Sequence, residues 1–160
     1  MSIPKILWME DQYQDFNSYI SKLYREGYWI EPVKTITDAL KKMREEYYIA
    51  YIFDIKVLPG TDSEWIKVDQ DLRRESPNFD PNLGLEMMRS LFKSSLARNI
   101  IEPLIVINPE KVIVLSVVFD KKEEIASFGI PEDQIIYKGD SDLNTLPKLI
   151  GRIIKRDKNN

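Results

Sequence analysis

Short apolar runs alternate along the chain with longer segments of helical periodicity. Lys5-Ile6-Leu7-Trp8-Met9 is a run that stops at Glu10-Asp11. Phe16, Ile20 and Leu23 then recur at helical spacing, with Tyr13 and Tyr24 widening the stripe and Gly27 ending it. Tyr28 to Val33 reads as a second strand, which Pro32 assigns to a sheet edge because proline has no N–H to donate to a ladder. Thr35 caps a helix through Met43, with Asp38 at the third helical position as in a capping box. Ile49 to Ile55 is a third strand, apolar on both faces, as in a parallel sheet covered by helices on each side. Val112 to Val118 repeats that pattern. Lys121 to Phe128 is a short helix ended by Gly129, and Gln134 to Tyr137 is a fifth strand. Leu143 to Ile154 closes the chain as an amphipathic helix, ahead of a polar tail, Lys155 to Asn160, read as frayed.

Two stretches break this regularity. Residues 56–82 are charged and punctuated by Pro and Gly, too long for the usual connection of about 2–6 residues. Within them Thr61 and Glu64 form a capping-box pattern, followed by Trp65, Val68 and Leu72 on one face of a short helix. Trp65 and this face are expected to pack on the domain as a lid. A helix resumes from Leu83 to about Ala97. The second stretch spans about 98–110. By local signals, residues 104–107 and 111–112 around Asn108-Pro109 resemble a hairpin. The βα alternation nevertheless predicts an α/β fold, a doubly wound five-stranded parallel sheet in the flavodoxin-like order 2-1-3-4-5. The fourth strand then has neighbours on both sides, so residues 104–107 are expected to extend the preceding helix or pack as a loop.

Composition narrows the chemistry more than the fold. The chain has 160 residues, with 23 Lys plus Arg against 26 Asp plus Glu, a net charge of −3. Hydrophobic residues at 43% and charged residues at 31% describe a globular chain, read as one domain over 1–160. It has neither Cys nor His. Disulfides, Cys/His zinc sites, cysteine nucleophiles and imidazole bases are therefore excluded. The most apolar stretch, Val112 to Phe119, is far short of the roughly 20 residues of a spanning helix. No signal peptide is evident, so a cytoplasmic location without membrane association is expected. The mildly acidic balance argues against general nucleic-acid binding.

In open α/β sheets, function gathers at the carboxyl ends of the strands. Those ends carry Glu10-Asp11 after the first strand, Asp54 in the third, Ser116 late in the fourth and Lys138 at the fifth. Three converging carboxylates repel one another and call for a cation. A hard oxygen-ligand ion suits them, Mg²⁺ best. One carboxylate could then act as nucleophile toward a phosphoryl group, with Lys138 and the Ser116 hydroxyl as donors to its oxygens. Taken singly, each residue has a plainer reading. Glu10 and Asp11 suit a helix N-terminus, Lys138 an ordinary surface, and Ser116 a satisfied core hydroxyl. Asp54 does not, because a carboxylate closing an apolar central strand is costly without a partner.

The set resembles the receiver domain of two-component response regulators. The family's acidic pair is matched by Glu10-Asp11 and its phosphoacceptor by Asp54 in Ile52-Phe-Asp-Ile55. Its fourth-strand hydroxyl is matched by Ser116 in Val114-Leu-Ser-Val117, and its lysine by Lys138 in Ile136-Tyr-Lys-Gly139. Gly84-Leu85-Glu86 looks like the start of its third helix. The resemblance implies Mg²⁺ held by Asp11, Asp54 and the Lys56 backbone carbonyl, with Glu10 acting mainly through water. It also implies a histidine kinase or phosphotransfer protein as donor and an unidentified downstream protein partner.

The departures bear on mechanism. The Pro that usually stands four residues after the acceptor is displaced to Pro59, and Gly139 replaces a Pro that often follows the lysine through a cis bond. Ile135 occupies the place of the family's switching aromatic residue. Tyr137, next to Lys138, is expected on the opposite face of the strand. Lys56 brings a second ammonium that could pair with Glu10 or a phosphoryl group, or compete with Mg²⁺. Two other functions fit the pattern, an interaction module that signals without phosphorylation and a Mg²⁺-dependent phosphohydrolase. The latter commonly has an acid two residues after its nucleophile, where Lys56 stands.

Overall fold

In the computed structural model, which describes residues 2–93, 105–118 and 120–160, the apolar runs become β1 (Lys5–Met9), β2 (Trp29–Val33), β3 (Ala50–Phe53), β4 (Val112–Ser116) and β5 (Ile135–Tyr137). All pair in parallel, in the order β2-β1-β3-β4-β5. Between them run α1 (Asn17–Arg25), α2 (Ile36–Glu45), α3 (Ser63–Glu75), α4 (Leu83–Phe92), α5 (Lys122–Ala126) and α6 (Thr145–Lys158). The expected doubly wound sheet and its strand order are both present.

The period-two alternation of each strand divides the core into two layers. Leu7, Met9, Tyr51, Phe53, Val112 and Val114 face α2, α3, α4 and α5, where Leu40, Trp65, Met88 and Ile125 close the layer. Ile6, Trp8, Ile30, Ile52, Ile113 and Leu115 face the other way, onto Ile20 and Leu23 of α1 and Leu146, Leu149, Ile150 and Ile153 of α6. β1 and β3 are buried on both sides of the sheet. That is why they lack the polar alternation of an exposed strand.

The insertion after β3 is anchored by the first turn of α2. The Thr35 side chain accepts from the Asp38 N–H, as a cap should. The other free donors of that turn, Ile36 N and Thr37 N, go to the carbonyls of Leu58 (3.0 Å) and Pro59 (3.1 Å). Gly60 follows at φ +91°, and a Cβ there would come within 2.6 Å of the Thr37 hydroxyl. The helix beyond is not short. α3 has 13 residues, and its cap is Asp62, whose side chain accepts from Glu64 N at 2.9 Å, rather than Thr61. Trp65 is 2% exposed, packed into the layer as the lid reading expects.

Two other boundaries differ from expectation, and a third segment is the loop expected of it. β4 ends at Ser116 because the Ser116 hydroxyl accepts the Val118 N–H at 3.1 Å, turning the chain out of the ladder. α6 continues to Lys158, where the sequence suggests a frayed tail. Arg156 donates to Gln134 at 2.6 Å and Asp157 pairs with Lys111 at 3.0 Å, which holds the last turn in place. Residues 105–108 are a loop, with Ile105 buried against the first layer and no strand formed. The expected helical stretch from 94 to Ala97, and residues 98–104 of the second expansion, lie outside the described residues. No helix among the described residues is long and apolar enough to cross a membrane.

Candidate functional site: an acidic cluster closed by a lysine

The carboxyl ends of β1, β3 and β5 meet at one rim. Glu10 and Asp54 each continue the ladder one residue beyond their strand, through Glu10 N to Val33 O (2.9 Å) and Asp54 N to Met9 O (3.0 Å). This backbone pairing sets two carboxylates side by side inside the sheet edge, 0% and 3% exposed. Each of Glu10, Asp11 and Asp54 offers one oxygen, all within 4.8 Å of one another.

Lys138 closes the cluster. Its Nζ lies 2.8 Å from Glu10 Oε2 and 3.2 Å from Asp54 Oδ2, and 5.1 Å from the centre of the Phe16 ring. The remaining oxygens accept backbone donors: Gln12 N to Glu10 Oε1 at 3.1 Å, and Ile55 N to Asp54 Oδ1 at 2.7 Å. Burial, and then the charge of Asp54, raise the Glu10 pKa from 4.5 to about 7, against the opposing pull of Lys138. Burial alone would lower Lys138, but its hydrogen bond to Glu10 and the charges of Asp54 and Glu10 outweigh that and raise it. The ammonium is therefore retained. With all three carboxylates ionised, one ammonium leaves two negative charges, the amount a divalent cation offsets. The donors are hard oxygens, so the cluster could hold such an ion.

The floor is equally specific. Gly84, in the first turn of α4, donates its N–H to Ile55 O at 2.7 Å. A Cβ on Gly84 would stand 2.1 Å from the Asp54 carbonyl, so only glycine lets α4 approach the end of β3 this closely. Ser116 stands at the end of β4 beside Tyr137 of β5, 1% exposed, with its hydroxyl engaged by Val118 N.

The fold is shared with solved structures of known type. A CheY-like response regulator receiver domain protein from Methanospirillum hungatei JF-1 superposes with a TM-score of 0.55 at 17% identity, over 99% of this chain and 100% of its own. The receiver domain of the Francisella response regulator 1452 gives 0.56 at 17% identity, over 96% and 98%. This chain has the receiver fold. A third structure with the same fold is a Burkholderia pseudomallei response regulator protein with a phosphorylated aspartic acid, calcium ion and citrate. It superposes with a TM-score of 0.57 at 15% identity, over 96% of this chain and 72% of that one. No family model and no curated protein matches the sequence.

Within this receiver fold, the sequence-predicted residues separate into those in mutual contact and those turned elsewhere. Glu10, Asp54 and Lys138 touch, with Asp11 beside them. The Lys56 side chain turns away from the cluster. Its Nζ donates to the Asp80 carbonyl at 2.8 Å, so it clamps the insertion instead of pairing with Glu10. Arg73 of α3 reaches the same place, 3.0 Å from Asp69 and 3.4 Å from Asp80. Asp11, Lys56, Arg73, Asp80 and Pro81 line a cavity of about 100 Å³ beside the cluster. The insertion thus builds one wall of the site. Asp80 and Arg73 were not legible as site residues, since their place depends on how the insertion folds back. Nor was Phe16, whose spacing reads simply as the core stripe of α1.

Proposed function

We propose that this chain is a phosphoacceptor receiver of a two-component or phosphorelay system. It would take a phosphoryl group on Asp54 from a histidine kinase or phosphotransfer protein and signal to a further protein by contact. The observation that carries this reading is the buried Asp54 carboxylate with Lys138 on one oxygen and a backbone N–H on the other. These donors fix the carboxylate in place before a phosphorus atom arrives, and positioning with charge stabilisation is most of what phosphoryl transfer needs. An Asp54 oxygen would form the new P–O bond as the bond to the donor's imidazole nitrogen breaks, the electron pair leaving on that nitrogen. The donor histidine would lie outside these 160 residues, which contain none.

Asp11, Asp54 and the Lys56 carbonyl would hold Mg²⁺, with Glu10 bound through water. When bound, the ion would neutralise charge on the phosphoryl oxygens. Lys138 would then exchange its carboxylate partners for a phosphoryl oxygen, and the Ser116 hydroxyl, released from Val118 N, would donate to another. Both moves act on the ends of β4 and β5, so the surface around α5 and β5 is where a partner would sense the change. The fit of a divalent cation to the residual charge favours this reading over a module that signals without phosphorylation. The position two residues after Asp54, where a phosphohydrolase would need an acid, carries a lysine tied to Asp80.

A test is to incubate the chain with Mg²⁺ and a small acyl phosphate, then measure its intact mass and map the modified peptide. The expected result is one phosphoryl group, on Asp54, absent without a divalent ion. Modification elsewhere, or none, would contradict the reading.

A further inference from the structure

Lys138 does the most exacting work at this site, yet the residue after it is glycine, which restrains the backbone least. A Cβ on Gly139 would lie 2.7 Å from the Tyr137 ring, so that exposed side chain would have to shift. The lysine is held instead by contacts from elsewhere in the fold. The chain turns at Lys138–Asp140 in a single 3₁₀ turn, and the Ser141 hydroxyl donates to the Lys138 carbonyl at 2.9 Å. That commits the one hydroxyl proton of Ser141. Tyr19 approaches both the Ser141 carbonyl, at 3.2 Å, and its Oγ, at 3.3 Å. With the serine proton already committed, the single tyrosine O–H proton is shared between these two oxygens.

The other end of the lysine is held from the same place. Phe16 lies one turn before Tyr19, their rings 5.7 Å apart, and the Lys138 ammonium sits 5.1 Å from the Phe16 ring centre. Phe16 is itself backed by Trp8, with ring centres 5.4 Å apart. An aromatic face and an ammonium attract. One edge of the α1 region therefore grips Lys138 twice, by its charge through Phe16 and by its backbone through Tyr19 and Ser141.

We infer that Phe16, Tyr19 and Ser141 are positioning residues that set where the Lys138 ammonium stands relative to Asp54. The consequence for phosphoryl acceptance rests on the function proposed above. Tyr19 holds Ser141, and the Ser141 hydroxyl holds the Lys138 carbonyl, so the two act along one chain of contacts. None of the three touches the carboxylates in the contacts described, so each acts through the lysine.

The experiment compares wild type with Tyr19→Phe, Ser141→Ala, the double variant and Ser141→Thr, in two measurements. The first is the NMR shift of the Lys138 ε-methylene protons, which the nearby Phe16 ring should displace upfield, with Phe16→Leu marking the undisplaced position. The second is the rate of Asp54 phosphorylation by a small acyl phosphate with Mg²⁺, separated into kcat and KM. Tyr19→Phe and Ser141→Ala should move the lysine resonances and lower kcat about tenfold with KM unchanged, the scale expected of a sub-ångström misplacement. The double variant should fall at least as far as either single variant, and Ser141→Thr should restore both. Unmoved lysine resonances in Tyr19→Phe overturn the inference, as does an unchanged kcat in a wild type that is phosphorylated. A wild type that takes no phosphoryl group overturns the reading of the site instead. The lysine resonances then still decide whether Tyr19 and Ser141 position Lys138.

Discussion

Glu10 is the residue on which folding and chemistry oppose each other most directly. It is fully buried, near Asp54, and its pKa stands at about 7 instead of 4.5. An acid whose folded pKa is raised is easier to protonate in the folded state than in the unfolded chain. The folded state is therefore penalised as pH rises through the window from 4.5 to about 7, with the whole penalty present above it and none below. Without divalent cations, Glu10→Gln should stabilise the protein at pH 8 by on the order of 2–3 kcal/mol. The gain should vanish near pH 4.5, and chemical denaturation across that range measures it. Stabilisation of equal size at both pH values would mean that Glu10 is not held charged against its preference. The acidic residues and Lys138 were legible in the sequence because strand ends in a parallel sheet converge, whatever the loops do. Tyr19 and Ser141 were not, since 122 residues separate them and neither type is unusual where it stands.

At the scale of elements, the insertion after β3 is a constructed wall rather than a flexible excess. Its entry is fixed on the first turn of α2, its helix buries Trp65, and its exit is clamped by Lys56 on Asp80 before α4 begins. The sequence indicates a helix there, through its caps and the face of Trp65, Val68 and Leu72. The direction in which the insertion folds back was hidden, because it depends on α2 donors in another segment. α4 then meets the end of β3 at Gly84. Gly84→Ala would force a methyl group to within 2.1 Å of the Asp54 carbonyl, so helix or strand must shift. The expected cost is about 1–3 kcal/mol, the usual price of overpacking. Phosphoryl acceptance should be lost even where the variant remains folded, as read by thermal unfolding alongside intact mass. A variant that is phosphorylated at the wild-type rate would show that α4 does not fix Asp54.

For the whole molecule, strand order was the most secure inference from sequence, because doubly apolar central strands and their alternation with helices admit few topologies. Segment ends were less so, since Ser116 and Arg156 stop or extend elements through contacts that no local pattern encodes. Among the described residues, the carboxyl rim of the sheet carries a charged cluster, with two negative charges beyond what Lys138 neutralises when all three carboxylates are ionised. On the function we propose, this site holds a phosphoryl group on Asp54 beside a divalent cation. The most direct measurement is an amide NMR titration with Mg²⁺ and beryllofluoride, a phosphoryl mimic, on wild type and Asp54→Ala. Saturable shifts are expected in wild type at Asp54, Ser116 and Lys138, extending into β5 and α5, and none from beryllofluoride in Asp54→Ala. Identical spectra for the two proteins on adding beryllofluoride, apart from the substituted residue itself, would contradict it.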